Sequence, residues 1–283
     1  MEPNPSPARQ FWTALEPLHA VVYFAPETAE AAKAVGLRGF WMGYFAGRSA
    51  PLGPIGPEPV EAMFFGFAPR MVARALPDAW TFASPGEVLR TRIEAVETAL
   101  TRLLGAASVD ELVRLLEAAV DGCRFAGRPL GAAWGAVPRP DRPLARLWLA
   151  TTVLREHRGD GHVLAAVAAE LTGLEAALTH IATGATTRQH VQRARGWTDG
   201  EWDAATGGLL TRGLFDREGR LTTAGQDVRR TVEETTDRLA ADPLETLGAS
   251  AVERVLALAA PLSRLVVDGG GMPVTNPMGA ARP

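Results

Sequence analysis

Residues 184–230, GATTRQHVQRARGWTDGEWDAATGGLLTRGLFDREGRLTTAGQDVRR, carry the strongest fold signal in the chain. The turn Arg195-Gly196-Trp197 separates two helical patterns, and the second is predicted to run from Thr198 to Arg212. A short hairpin around the turn at 216–219 follows, and a long helix begins within LTTAGQDVRR. Because strand signals elsewhere are sparse, we predict a mainly α protein with at most short β-hairpin wings.

The chain repeats short matches in the same order about half its length apart. The matched segments are Val35-Gly36-Leu37 with Thr172-Gly173-Leu174, and Leu104-Gly105-Ala106 with Leu247-Gly248-Ala249. A Ser-x-x-Glu pattern follows the second match in each copy, at 108–111 and 250–253, and it is typical of a capping box at a helix start. We therefore predict two pseudo-symmetric units of similar topology in one chain.

A linker is predicted between the two copies. Residues 127–143 read GRPLGAAWGAVPRPDRP and hold four prolines and three glycines, which interrupt helices. We place the boundary near Pro138 and predict a degenerate N-terminal unit at 1–137 and a C-terminal unit at 138–283. Within the first unit, apolar residues recur at helical spacing over 85–104, which predicts one long amphipathic helix.

The composition is that of an ordinary folded protein. Of the 283 residues, 47% are hydrophobic and 22% are charged, and the net charge of −3 gives no general attraction to nucleic acid. Cys123 is the only cysteine, so we predict neither a disulfide nor a multi-cysteine zinc site. The start, MEPNPSPARQ, lacks the pattern of a signal peptide, and no apolar run is long enough to cross a membrane. These features favour a cytoplasmic location without a membrane partner, as a monomer or a homodimer.

The order of elements over residues 184–230 resembles the winged helix-turn-helix of MarR-type regulators. The phrases LLTRGLFDREGRLTTAGQ and ARGWTDGEW also look like an actinobacterial family labelled helix-turn-helix or MarR-like. The likeness extends over nearly the whole chain, through LHAVVYFAPE, GYFAGRSAPLG, LREHRGDGH and the closing NPMG. This resemblance implies the fold of tandem winged-helix-like units and, as one function, ligand-responsive binding to DNA.

The residues of the predicted second helix disfavour DNA as a partner. A helix that reads base edges needs arginine, lysine, asparagine or glutamine on its exposed side. This helix instead carries Asp199, Glu201 and Asp203, which phosphate oxygens would repel, and its only base is Arg212 at the far end. The matching segment PEPVEAMFFGFAP at 57–69 combines glutamates with apolar residues and is predicted to be buried.

The densest polar cluster is the stretch REHRGDGH at 155–162. Its two glycines favour a loop, in which His157, Asp160 and His162 would be the catalytic groups and Arg158 would bind the ligand. The alternative is that Asp160 caps the following helix and that both histidines are ordinary polar residues. Two histidines and one carboxylate without further spaced ligands are a weak metal signal, so no metal site is predicted.

The pseudo-equivalent stretch in the first half is HAVVYFAPE at 19–27, and it supplies further ligand-binding candidates. If the halves pack about a local two-fold axis, both stretches face one central cavity. Arginines there would clamp an anionic group, and aromatic side chains would form an apolar wall, although plain core packing is the alternative for the aromatics. The predicted ligand-binding residues in the first half are His19, Tyr23, Glu27, Arg38, Trp41, Tyr44 and Arg48.

Together these features favour a small-molecule-binding protein, or an acid–base enzyme without a cofactor, that acts on an anionic metabolite between the two halves. No G-x-G-x-x-G, P-loop or G-x-S-x-G motif is present, so nucleotide-dependent and serine-hydrolase chemistry lack support. The alternative function is a MarR-like, ligand-responsive regulator that binds DNA. A third class, a protein that only pairs with another protein, stays open, as does the question of enzymatic activity.

Overall fold

The computed structural model describes residues 5–273 and 282–283, and this part of the chain contains sixteen α-helices and one short 3-10 helix at Ala50–Leu52. The first eight α-helices are α1 Pro7–Phe24, α2 Pro26–Ala34, α3 Gly39–Ser49, α4 Pro57–Phe64, α5 Pro69–Ala73, α6 Ala79–Phe82, α7 Pro85–Leu104 and α8 Asp110–Asp121. The others are α9 Pro129–Gly135, α10 Pro143–Ala168, α11 Gly173–Ile181, α12 Arg188–Arg195, α13 Asp199–Thr211, α14 Thr223–Leu239, α15 Asp242–Leu247 and α16 Ala249–Asp268.

Capping residues explain where several of these helices begin and end. The side chains of Ser6 and Ser84 accept backbone hydrogen bonds at the starts of α1 and α7. A capping box opens α13, because Thr198 accepts from the backbone of Glu201 and the Glu201 carboxylate accepts from the backbone of Thr198. At the end of α12, Gly196 has a φ of +76°, a left-handed conformation that glycine adopts without strain.

The helices of the segment at 184–230 lie where they are predicted. Helices α12 and α13 flank the turn at 195–197, and α14 is the predicted long helix. The hairpin is reduced to a single antiparallel bridge between Phe215 and Leu221, and no named strand occurs in the described residues. The prediction of a mainly α protein is therefore confirmed, and so is the long helix at Pro85–Leu104.

The central element is α10, which packs against α1, α7, α8, α9 and α14. The predicted loop at 155–162 is wrong, because these residues lie inside this 26-residue helix. Gly161 is a contact residue inside the helix rather than a loop residue: a Cβ there would lie 3.0 Å from Nη1 of Arg128 and 3.3 Å from Cβ of Leu239. Asp160 is likewise inside the helix and does not cap a following one.

In the described residues, three large apolar clusters and a small fourth one between α1 and α16 form the core. The first joins α1, α7, α8, α10 and α16, and the second is an aromatic cluster around α3, α4 and α5. The third includes Trp202 and joins α11–α14 to the end of α10, which contributes Ala166. The first cluster takes residues from both sides of Pro138, for example Leu18 and Trp148. The division of the chain at residues 1–137 and 138–283 stays a prediction.

The structure differs from the sequence prediction at the linker and at two helix starts. The predicted linker contains α9, because Leu130 and Trp134 lie one helical turn apart and are both buried. The predicted capping boxes are absent, since Ser108 precedes the cap of α8 and Ser250 lies within the first turn of α16, and neither helix has a side-chain cap hydrogen bond.

In the described part of the chain, no single helix has the length and apolar composition that a membrane span needs. The consecutive helices α10 and α11 reach those values only as a pair, and they are bent by 97° relative to each other.

Candidate functional site

A cleft between the two predicted halves of the chain brings arginine side chains together. We call it the arginine cleft; it has a volume of about 300 Å³ and lies between α1, α3, α4 and α10–α12 with α14. Two carboxylates, Glu16 and Glu233, and the aromatic residues Tyr44 and Phe64 also line it. The arginines among its described lining residues are Arg9, Arg48, Arg155, Arg158, Arg195 and Arg229.

One side of the cleft is built on a buried ion pair. Nε and Nη2 of Arg48 in α3 donate to Oε1 and Oε2 of Glu156 in α10, both at 2.7 Å. Nη1 of Arg155 also donates to Oε2 of Glu156, at 3.0 Å. Burial alone would raise the pKa of Glu156, but the two guanidinium groups outweigh it and hold the pKa well below its usual value. Glu156 is therefore ionised and offsets the charge of Arg48.

The opposite side of the cleft contains arginines that share acidic partners on α14. Nη2 of Arg158 donates to Oδ1 of Asp237 at 2.6 Å. Arg9 and Arg229 both pair with Glu233. Nη1 of Arg158 is buried and has no hydrogen-bond partner among the described residues. One donor of this arginine is thus left for another group.

Arg195, at the end of α12, has no carboxylate partner among the ion pairs of the described residues. Its guanidinium lies over the ring of Phe67, 4.1 Å from the centroid. Burial, as the largest cause, lowers the pKa of Arg195, and the neighbouring charges of Arg48 and Arg155 add to this, although Tyr44 opposes it. An anion beside Arg195 would offset this accumulation of positive charge.

Tyr44 is the polar group that these arginines surround. Its hydroxyl accepts a hydrogen bond from Nη1 of Arg48 at 3.2 Å. Burial would raise the pKa of Tyr44, but the charges of Arg48, Arg195 and Arg155 outweigh burial, so the pKa lies below its ordinary value. The lowered pKa of Tyr44 indicates an excess of positive charge in the cleft, and the same charge would attract an anionic ligand.

The three predicted catalytic residues lie on α10 but contact three different elements. Asp160 accepts from the backbone N–H of Gly131 in α9 at 2.8 Å. Nε2 of His157 lies 3.5 Å from Oδ2 of Asp242 in α15, and Nδ1 of His162 lies 3.1 Å from Oγ1 of Thr236 in α14. Of the three, His162 alone lines the arginine cleft.

The ionisation of these groups is set mainly by burial. Burial, and then the charge of Arg128, lowers the pKa of His157 to about 4. Burial, and then the charges of Arg158 and Arg9, lowers the pKa of His162 to about 4 as well. Burial raises the pKa of Asp160 to about 6. At neutral pH both histidines are therefore neutral.

The predicted ligand-binding residues are distributed over several places. Tyr44, Arg48 and Arg158 line the arginine cleft. His19 bonds to Thr152 through Nδ1 at 3.0 Å and to the Tyr23 hydroxyl through Nε2 at 3.1 Å, as its helical spacing to Tyr23 predicts.

Three other predicted residues, Glu27, Trp41 and Arg38, lie elsewhere. Glu27 forms a partly exposed ion pair with Arg102 at 2.5 Å. Trp41 belongs to the aromatic cluster, 6.1 Å from the Phe45 ring. Arg38 lies over the ring of Phe82.

Several cleft residues were not found from the sequence. Arg9, Arg195 and Arg229 lie far apart along the chain, and no local pattern connects them. Arg155 and Glu156 belong to the polar stretch that was singled out, but their roles depend on Arg48, which is 108 positions away from Glu156. Among the described residues, no three histidine, cysteine or acidic side chains come together to hold a metal ion.

The segment α11–α14 provides the geometry of a candidate nucleic-acid interface. Asp199 and Asp203 are exposed on α13, and Arg188 pairs with Asp199 at 2.8 Å. The first turn of α13 is engaged by the N-terminal half, because Arg70 of α5 forms a bidentate ion pair with Glu201 at 2.8 and 2.6 Å. Helix-turn-helix proteins that recognise DNA sequence contact the bases with this end of their second helix. In this chain the first turn of α13 contains carboxylates, and one of them is bound to Arg70 of the same chain.

The chain matches the model of a helix-turn-helix family over residues 8–273. No curated protein and no solved structure matches the chain. The finer likeness to MarR-type regulators, the actinobacterial origin and the arrangement in two units stay predictions. Since the match spans nearly the whole chain, the protein belongs to a helix-turn-helix family.

Proposed function

We propose that this chain is a small-molecule-binding protein that takes an anionic organic ligand in the arginine cleft. One observation carries the proposal: six arginines line a single cleft of about 300 Å³. Nη1 of Arg158 has no hydrogen-bond partner, and Arg195 has no carboxylate partner, among the described residues. Guanidinium groups bind carboxylate and phosphate through paired, charge-assisted hydrogen bonds. The oxygen atoms of a ligand anion would accept hydrogen bonds from these donors.

The cleft also favours a ligand with an apolar part. Phe64 and Tyr44 line it beside the arginines, and Arg48 lies 4.2 Å from the centroid of the Phe64 ring. A pocket with apolar walls and a few convergent polar groups is typical of small-molecule sites. We therefore expect an aromatic or aliphatic carboxylate, or a phosphate ester, to bind more tightly than a simple inorganic anion.

We propose binding rather than acid–base catalysis as the role of the cleft. The candidate acid–base groups His157 and Asp160 do not line it, and each is engaged by a different neighbouring helix. His162 does line it, and as a neutral imidazole it can donate or accept one hydrogen bond.

The second candidate function is a ligand-responsive regulator that binds DNA. Membership in a helix-turn-helix family and the order of α11–α14 favour it. The exposed carboxylates Asp199 and Asp203 on α13 oppose it, because they would face phosphate oxygens. In this function the cleft would be the effector site, since α12 and α14 both contribute residues to it.

The ligand proposal is tested by thermal unfolding with three probes: phthalate, benzoate and inorganic phosphate. We expect phthalate to raise the Tm of the wild type most, because its two carboxylates can engage two arginines while its ring packs on Phe64. Arg195→Met should abolish the rise and lower the Tm of the free protein only slightly, since no carboxylate loses its partner and the methionine still covers the Phe67 ring. Arg193→Met is the matched control, an exposed arginine on the same helix. A wild type that responds to none of the three probes contradicts the proposal.

The regulator function is tested by fluorescence anisotropy with a labelled duplex of the DNA upstream of the protein's own coding sequence. A scrambled duplex serves as the control, and both are measured at low and at physiological salt. Submicromolar, sequence-dependent binding that phthalate weakens would establish the regulator. Equal and weak binding to both duplexes would exclude it and leave the ligand-binding function.

A further inference from the structure

A second cavity lies entirely within the N-terminal half, between α1, α2, α3 and α7. We call it the N-terminal pocket; it has a volume of about 510 Å³. We propose that it is a separate site for an amphipathic anion, meaning a molecule with an apolar body and one carboxylate or sulfonate head. The inference goes beyond the function proposed above, because this cavity is distinct from the arginine cleft.

The lining of the N-terminal pocket is apolar and, where charged, only positive. Of the described residues that line it, Lys33, Arg38 and Arg92 carry charge, and none is an aspartate or a glutamate. The remaining walls are mainly small and aliphatic side chains. They include Val22, Ala29, Ala32, Val35, Leu37 and Val88. Such a lining fits an apolar body together with an anionic head.

Arg92, on α7, is the group expected to bind the anionic head. Its Nε is buried and has no hydrogen-bond partner in the described part of the chain. Its guanidinium lies 5.5 Å from the ring centroid of Tyr23 and 5.9 Å from that of Trp148. Burial, as the largest cause, lowers the pKa of Arg92, which is the direction expected for a cation without an acidic partner. A buried cation without a carboxylate is costly unless a ligand supplies the anion.

Helix α3 is shaped to let Arg92 reach this position. Gly47 faces the arginine, and a Cβ at this position would collide with Nη1 of Arg92. Glycine in the middle of a helix is less favourable than alanine, so its presence here needs a local reason. The close approach of the guanidinium to the helix backbone supplies that reason.

The mouth of the pocket has features that suit entry of an amphipathic anion. Lys33 and Arg38 are exposed there and would attract a negative charge from solution. Phe40 also lines the pocket, and 53% of this residue is exposed to solvent. An apolar ligand body at the mouth would cover this ring.

The two cavities share one wall residue, Tyr44, which lines both. Tyr44 is therefore unsuitable for telling the sites apart. Arg92 lines only the N-terminal pocket and Arg195 lines only the arginine cleft, so variants of these two residues separate the two proposals.

The test uses 8-anilinonaphthalene-1-sulfonate as a fluorescent amphipathic anion and decanoate as its competitor. We expect the wild type to bind the dye saturably and decanoate to displace it. Arg92→Met should weaken dye binding by about tenfold or more, because a charge-assisted contact is lost. Gly47→Ala should weaken it as well, because the added methyl group displaces the guanidinium. Cooperative melting of each variant must be shown, since loosely packed states also bind this dye.

Two control variants test whether the loss of dye binding is specific to Arg92 and Gly47. Arg90→Met removes an exposed arginine from the same helix, and Gly86→Ala adds a methyl group to that helix where no atom lies within 4 Å. Both should bind the dye like the wild type. Equal binding by wild type and Arg92→Met, or equal loss in Arg90→Met, would overturn the inference. Arg195→Met should remove only the dye that is held in the arginine cleft and should leave the Arg92-dependent binding in place, so the two variants distinguish the two sites.

Discussion

Arg48 and Glu156 form a buried, bidentate ion pair that joins α3 to α10, with both N–O distances at 2.7 Å. The pair lies at the side of the arginine cleft, where it fixes the guanidinium of Arg48 beside Tyr44. Removal of one partner from a buried pair leaves the other charge without compensation. This relationship therefore links the stability of the protein to the geometry of the cleft.

Glu156→Gln should lower the free energy of unfolding by about 3–5 kcal/mol, because Arg48 then remains buried without a counter-charge. Urea unfolding followed by circular dichroism measures the change. Glu111→Gln is the control, since Glu111 pairs with Arg254 on the protein surface and its replacement should have a much smaller effect. A double variant, Arg48→Met with Glu156→Leu, should recover much of the loss. An equal effect of Glu156→Gln and Glu111→Gln would contradict this view of the pair.

Gly173→Ala should destabilise the contact between α11 and the N-terminal half by about 1–3 kcal/mol. A Cβ at position 173 would collide with the backbone carbonyl of Phe65, and a backbone atom cannot move aside as a flexible side chain can. Gly207→Ala on α13 is the control, because no atom lies within 4 Å of its added Cβ and alanine is the better helix former. Thermal unfolding should show a lower Tm for the first variant only; equal Tm values would contradict the close contact.

Stability should fall as the pH falls from about 6.5 to about 4, and His162 should contribute to the fall. Its folded-state pKa of about 4 lies below the ordinary value of 6.5, so the unfolded state binds more protons within this range. His157 acts in the same direction. Asp160 acts in the opposite direction below pH 6, because burial raises its pKa, and Glu16 does so for the same reason. His19 and His180 also have pKa values lowered mainly by burial, so they act in the same direction as His162.

Urea unfolding at a series of pH values checks this dependence. His162→Asn should make the loss of stability on acidification shallower than in the wild type. His190→Asn provides a control for the substitution itself, because it replaces a histidine that is exposed on the surface. Identical slopes for the wild type and His162→Asn would mean that His162 titrates normally in the folded protein.

The sequence predicted the helix-turn-helix segment well because its signals are local. The cap at Thr198, the glycine at 196 and the turn at 216–219 each act within a few residues. The glycines of the RGDG stretch were misinterpreted because a glycine that makes room for a neighbouring element has the same sequence signal as a loop glycine. Gly161 is placed against Arg128 and Leu239 by tertiary packing alone.

The arginine cleft could not be predicted in full for a related reason. Arg48 and Arg158 were expected to bind an anion, but Arg9, Arg195 and Arg229 come from elements that only the tertiary fold brings together. Charge pairing also depends on that fold: Glu156 lies beside Arg155 in sequence, yet its bidentate partner is Arg48. The sequence therefore indicated that the site would bind an anion, but it identified only some of the residues that line the cleft.

The most direct test of the anion-binding cleft is a titration of arginine-labelled protein with phthalate, followed by NMR of the arginine Nε–Hε signals. We predict saturable shifts for Arg195 and Arg158, whose donors line the arginine cleft. The exposed Arg193 and Arg217 should not shift. The absence of any saturable shift at Arg195 and Arg158, or shifts confined to exposed arginines, would contradict the proposal that the cleft binds an anion.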